Sequence, residues 1–285
     1  MNRRHFLALS ALTLTGCTSL IDKAVYSPTV GPVTPSQYVA AKPQILQSRV
    51  PDGSFVTSWY YPPRNPGRPV LAVFHGTGGN IGVIAQQAYP FLTLGYGLFI
   101  ADYRGYSANP GRPSESGMIE DAASQLATLR NQLGVPPSRT ILFAHSLGGA
   151  VTLITASMLE ARGIFYHGIV TYGSVASLPY MAPPVIGLFL PEKFDAISAV
   201  ASISAPKVFM HGGKDTVVPP DSEYKLANNA RRPYAVIRVQ DGYHDFDAEH
   251  HLAIFEQVFA AVESGNLAPL SALASQDVKV AVNQV

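Results

Sequence analysis

The chain has 285 residues, 47% of them hydrophobic and 14% charged, with a formal net charge of +1. So low a charged share argues against a disordered polyelectrolyte, and balanced charge with no basic run beyond the first residues argues against a nucleic-acid partner. Its single cysteine, Cys17, rules out an internal disulfide, and the length suits one α/β domain with a sizeable core.

Residues 1–17 read MNRRHFLALSALTLTGC. Arg3 and Arg4 supply a basic start, 6–14 an apolar stretch too short to span a bilayer, and 14–17 a small-residue end. This is the three-part pattern of a signal peptide. Leu14-Thr15-Gly16-Cys17 is similar to a bacterial lipobox, which implies lipidation at Cys17 and an exported chain anchored to the inner or outer membrane, facing the periplasm. Arg3-Arg4-His5-Phe6-Leu7 resembles a twin-arginine export motif without the full consensus around the pair. Residues 18–41 carry Pro28, Pro32 and Pro35 with little helical period, and read as a tether.

The domain is expected over 42–264. Segments 44–50 and 54–61, joined at Pro51-Asp52-Gly53, predict an antiparallel hairpin. The run 69–74 predicts a buried strand ending in a glycine-rich loop, 75–80. A helix is expected over 81–94 and a strand over 97–103. The spacing of Met118, Ala122, Leu126 and Leu129 predicts a helix over 114–133. Strands follow at 141–144, 168–172, 207–211 and 234–239, and helices at 149–162, 222–230 and 250–262. Strand and helix alternate, which predicts a mostly parallel sheet with helices on both faces. Segment 174–205, rich in proline and bulky apolar residues, interrupts the alternation and is expected to be a small lid that walls an acyl pocket. Within it, 185–190 is a weaker candidate for a membrane-dipping surface. The tail, 265–285, is expected to be loosely held.

Chemistry concentrates at strand ends. A buried strand, a turn carrying Ser146, then Gly148, Gly149 and a helix make the pattern of a nucleophile elbow, with Ala144 where that pattern prefers glycine. The competing role for Ser146 is a helix N-cap. Asp215 follows one later strand and His244 the next, so acid and base come after the nucleophile in the order such a triad runs. Taken singly, Asp215 reads as a turn residue and His244 as a surface histidine. Asp102 also ends a strand but precedes the serine. His145 is expected to point away from the site, His75 to shape its loop, and His250 and His251 to be exposed. The backbone N–H groups of Leu147 and Thr77 are the candidates for an oxyanion hole. The glycine loop at 75–80 fits neither a P-loop nor a dinucleotide fingerprint.

With these residues in place, about 44–264 resembles the α/β-hydrolase family. The runs DYRGYSANPGRPSESG (102–117) and 191–219 are similar to the branch holding depalmitoylase-like, membrane-associated serine hydrolases. The resemblance implies hydrolysis of a small-molecule ester or thioester through an acyl-enzyme on Ser146, with Asp215 and His244, and without metal or organic cofactor. Two other readings stand beside it: a non-catalytic lipoprotein binding module of the same fold, and a serine peptidase of that fold. Oligomeric state is left open.

Overall fold

The computed structural model describes residues 25–182, 187 and 190–284. The expected signal peptide, Cys17 and residues 18–24 lie outside the described residues, as does most of 183–189 with the membrane-dipping candidate.

Among the described residues a nine-stranded sheet forms the centre. Its strands are β2 (Gln44–Arg49), β3 (Phe55–Tyr61), β4 (Val70–Phe74), β6 (Gly97–Ala101), β7 (Thr140–His145), β8 (Gly168–Tyr172), β9 (Lys207–Gly212), β10 (Tyr234–Val239) and β11 (Val278–Asn283), in the spatial order β11-β10-β9-β8-β7-β4-β6-β3-β2. The six strands from β10 to β6 run parallel, and the hairpin β2–β3 and the edge strand β11 join antiparallel. Every residue of β4, β6, β7 and β8 is buried. That explains their unbroken apolar sequences: a parallel sheet is covered on both faces.

Alternation along the strands divides the interior in two. Ala72, Phe74, Leu142 and Ala144 pack with α2 (Glu115–Asn131) and α3 (Leu147–Glu160); Leu71, Val73, Ile141 and Phe143 pack with α1 (Ile81–Ala88) and α7 (Leu252–Ser264). The helix expected over 81–94 is α only to Ala88, capped by Asn80, and continues as a 3-10 turn over Tyr89–Leu94. Pro90 lacks the N–H that an α-helix would need there.

Three expectations are corrected. The tail is not loose: Val278–Asn283 pairs residue for residue with β10, and Leu267 and Leu270 are buried beside α7. Without β11 the β10 backbone would be an open edge. Residues 25–41 are not a free tether. Tyr26 and Val39 are buried, and β1 (Ser27–Pro28) pairs in parallel with β5 (Gly78–Gly79) of the glycine loop. Segment 174–205 is more core than lid where it is described. Val175, Ala176, Phe194 and Val200 are buried, with the short helices α4 (Leu178–Met181) and α5 (Ala196–Val200) lying on the side of α3 and α6 (Ser222–Asn229).

A chain ending at Gly265 loses three buried aliphatic side chains and one edge strand, a loss of about 5 kcal/mol. Its thermal midpoint is expected to fall by about 10 °C or more relative to the full chain. An unchanged midpoint would mean that the tail adds nothing to the core.

Candidate active site

The turn between β7 and α3 sets the site. Ser146 sits at φ 55°, ψ −126°, a conformation that side-chain-bearing residues rarely adopt, and its side chain makes no cap to the helix. The N-cap role is therefore not the one it plays. Its backbone is held at both ends, N–H to the Tyr172 carbonyl at 3.0 Å and C=O from Gly149 N at 3.0 Å and Val175 N at 3.2 Å. Two glycines make the turn fit. A Cβ on Gly148 would lie 2.3 Å from the His75 carbonyl oxygen, and one on Gly76 would lie 2.7 Å from Ser146 Cβ. The methyl of Ala144, where the elbow pattern prefers glycine, is accommodated in the core with no exposure.

The structure brings Ser146, His244 and Asp215 together. Ser146 Oγ lies 3.0 Å from His244 Nε2, and His244 Nδ1 lies 2.8 Å from Asp215 Oδ2. With Nδ1–H donating to the carboxylate, Nε2 presents its lone pair to the serine hydroxyl. Burial alone would raise the Asp215 carboxyl. The His211 and His244 imidazoles and the backbone N–H groups of Val218 and Val217 outweigh it and hold the group well below the usual carboxylate range.

Leu147 follows Ser146 directly in the chain, and Thr77 lines the cavity that opens at Ser146. Leu147 N–H is the first of α3, where no intrahelical acceptor exists. Thr77 lies in the glycine loop beside Gly76, and neither N–H donates to a carbonyl among the described residues. The loop is held from behind: the Thr77 carbonyl accepts from Ser27 N at 3.1 Å and from the Tyr106 hydroxyl at 2.8 Å, and Thr29 N donates to the Gly79 carbonyl at 2.9 Å.

The remaining polar residues sort by contact. Asp102, fully buried, lies 3.0 Å from His75 Nε2 and accepts from Asn109 Nδ2 at 3.0 Å. It ties the glycine loop to the 102–109 loop and does not reach Ser146. His145 sits on the other face of the strand from Ala144, yet it does not point away from the site as expected: it lines the cavity with Ser146 and His244. Its Nε2–H donates to the His244 carbonyl at 2.9 Å, and its ring packs 4.9 Å from the His244 ring. Burial, then the neighbouring His244, pushes it down to about 4, so it is neutral. His251 is buried rather than exposed. Asp241, His250 and His251 have ligand atoms within 4.8 Å of one another. Holding a cation through His251 Nε2 would place its proton on Nδ1, which is buried without an acceptor among the described residues. The trio is better described as a carboxylate pinned by two imidazoles, at 3.3 Å and 3.1 Å. Sequence reasoning passed over His211, wholly buried against Asp215, and Tyr106 behind Thr77; a histidine inside a buried parallel strand was the available signal for the first.

A cavity of about 320 Å³ opens at Ser146 and His244, walled by the glycine loop, by Val83, Ile84 and Gln87, and by Val217 and Asp245. Among the described residues none of 174–205 lines it, because that segment packs on α3. Among the described residues no helix is long and apolar enough to cross a membrane.

The family described as "Serine aminopeptidase, S33" matches residues 65–197. The chain is 30% identical over 239 residues to the uncharacterized protein Rv2307c of Mycobacterium tuberculosis (strain ATCC 25618 / H37Rv), covering 81% of this chain and 85% of that one. It superposes on an alpha-beta hydrolase from Vibrio vulnificus with a TM-score of 0.64 at 18% identity, covering 77% of this chain and 80% of that one. For a hyperthermophilic esterase from the archaeon Pyrobaculum calidifontis the TM-score is 0.59 at 19% identity, covering 80% and 87%. At these identities the two structures establish the α/β-hydrolase fold alone.

The bond behind Thr77 can be removed without touching Ser146. Tyr106→Phe loses one hydrogen bond, about 1 kcal/mol. It is expected to slow acylation of Ser146 about fivefold while the thermal midpoint moves by only a few degrees. An unchanged acylation rate would show that the loop needs no such brace.

Proposed function

The chain belongs to the serine aminopeptidase S33 family of α/β-hydrolases, and on that premise we propose that it cleaves carboxylic ester or thioester bonds through an acyl-enzyme on Ser146. The observation that carries the reading is the line from Asp215 through His244 to Ser146, with contacts of 2.8 Å and 3.0 Å, ending on a strained turn at the mouth of a cavity.

Each group then has a task. His244 takes the Ser146 proton as Oγ attacks the acyl carbon, and Asp215 stabilises the imidazolium and fixes the ring. The N–H groups of Leu147 and Thr77 receive the oxyanion, where one such donor is worth about 10²–10³ in turnover. The tetrahedral adduct collapses, and His244 returns its proton to the departing alkoxide or thiolate. Water, deprotonated by His244, then attacks the acyl carbon, and the second tetrahedral adduct collapses to free the acid as His244 returns the proton to Ser146 Oγ. None of these steps draws on a metal or an organic cofactor. The resemblance of 102–117 to membrane-associated depalmitoylase-like hydrolases supports acyl esters and thioesters as the class. A cavity near the lower end of the ~300–1,000 Å³ typical of ligand pockets favours a compact acyl group within the described walls.

A second reading, amide cleavage, has one observation in its favour. Asp245 is the only acidic side chain lining the cavity among the described residues, and a carboxylate at that rim would suit a free amino terminus. Hydrolysis of aminoacyl p-nitroanilides that falls on Asp245→Asn, with p-nitrophenyl esters poor in comparison, would favour it.

We further propose that this chemistry takes place at a membrane. Cys17 carries the lipid and the domain faces the periplasm, a reading supported by the lipobox-like Leu14–Cys17. Labelled palmitate is expected to enter the full chain and not Cys17→Ala; equal labelling of both would remove the anchor at this residue. For the activity itself, Ser146→Ala is expected to cost about three orders of magnitude or more in turnover of short p-nitrophenyl esters. Wild-type turnover by that variant would sink the assignment.

A further inference from the structure

His211 is the penultimate residue of β9, four residues before Asp215, and the steps above make no use of it. Its side chain is wholly buried, with Nε2 3.1 Å from Asp215 Oδ2 and Nδ1 3.1 Å from Glu223 Oε2 on α6. Glu223 also accepts from Arg238 Nε of β10 at 2.9 Å. Asp215 Oδ2 is the oxygen that accepts from His244 Nδ1 as well. One carboxylate oxygen therefore stands between two imidazoles.

A neutral imidazole has one N–H, so one of the two carboxylates would face a lone pair; the doubly protonated ring attracts both. Both approaches are within hydrogen-bonding distance at 3.1 Å without ideal alignment, so hydrogen bonding and attraction between opposite charges act together on the ring. Burial disfavours the charged ring, but Asp215 and Glu223 outweigh it and push His211 up to about 9. Asp215 faces the ring from its own loop and Glu223 from α6, with Arg238 behind Glu223 and His244 behind Asp215. Two cations, His211 and Arg238, thus balance two anions, Asp215 and Glu223.

We infer that His211 is a buried imidazolium that shares the Asp215 carboxylate with His244 and so sets the pH at which His244 can act as a base. The inference rests on the triad reading and deepens it. His211 is a positioning residue, since it touches Asp215 and not the substrate. A fixed positive charge on the far side of Asp215 disfavours a second proton on His244.

The test is the rate at which a fluorophosphonate probe phosphonylates Ser146 as a function of pH, in the full chain and in His211→Gln. The acid limb of that rate reports the free base. Removing the charge is expected to move its midpoint up by about one pH unit, so that labelling at pH 6 slows about tenfold while labelling at pH 8.5 stays within about threefold. An unmoved midpoint, or a uniform loss at every pH, would overturn the inference and leave His211 a packing residue. If His211→Gln does not fold, the histidine ring resonances of the unaltered protein decide: two protonated His211 nitrogens at pH 7 are expected, and a neutral ring overturns the idea. Failure of the triad reading would look different, because Ser146 would then not be labelled at any pH while the His211 ring would still report its charge.

Discussion

Ser146 occupies a left-handed conformation, and holding a side-chain-bearing residue there costs about 1–3 kcal/mol. The surroundings over-determine it: its N–H is bound to the Tyr172 carbonyl and its C=O by Gly149 and Val175, while Gly76 and Gly148 let two backbones approach where no side chain fits. The strain lifts Oγ out of the sheet and against His244. Everything else at the site is arranged around that fixed point. A parallel sheet supplies the arrangement, because the loops at the carboxyl ends of its strands gather on one edge.

Three of those loops differ in how they are held. The Asp215 loop is anchored by charge, through His211, Glu223 and Arg238. The His244 loop is anchored by packing and by the hydrogen bond from His145, a neutral ring buried beside it. The glycine loop is anchored by Ser27 and Thr29 of the N-terminal lead and, from within the domain, by the Tyr106 hydroxyl. The lead also engages the start of α2 through Glu192: the Tyr26 hydroxyl bonds to Glu192, and Glu192 accepts from Glu115 N. A segment that the sequence presents as a spacer is thus a strap across the loop that offers Thr77 N–H.

The elbow was legible because its signals are local: an apolar strand, one serine, two glycines and a helical period within twenty residues. Asp215 and His244 were legible by position, each in the loop after a parallel strand. What escaped depends on contacts distant in sequence. His211 looks like an ordinary strand end until Glu223, twelve residues on, turns back onto it through α6. Alternation placed His145 on the correct face, yet only the path of the 240–247 loop shows that His244 lies there too. Prolines in 28–35 suggested a flexible spacer, although the pairing partner, Gly78–Gly79, is a glycine stretch with no strand signal of its own. The edge strand had a signal that went unread: Val278, Val280 and Val282 alternate with polar or small residues in the last eight positions.

Mapping the site of covalent capture bears most directly on the account. The full chain is treated with a fluorophosphonate at neutral pH, digested, and the adduct located by peptide mass spectrometry. A single adduct on Ser146, absent after His244→Ala, is the predicted result. An adduct on another residue, or none on well-folded protein, would contradict the claim that the strained serine is the nucleophile.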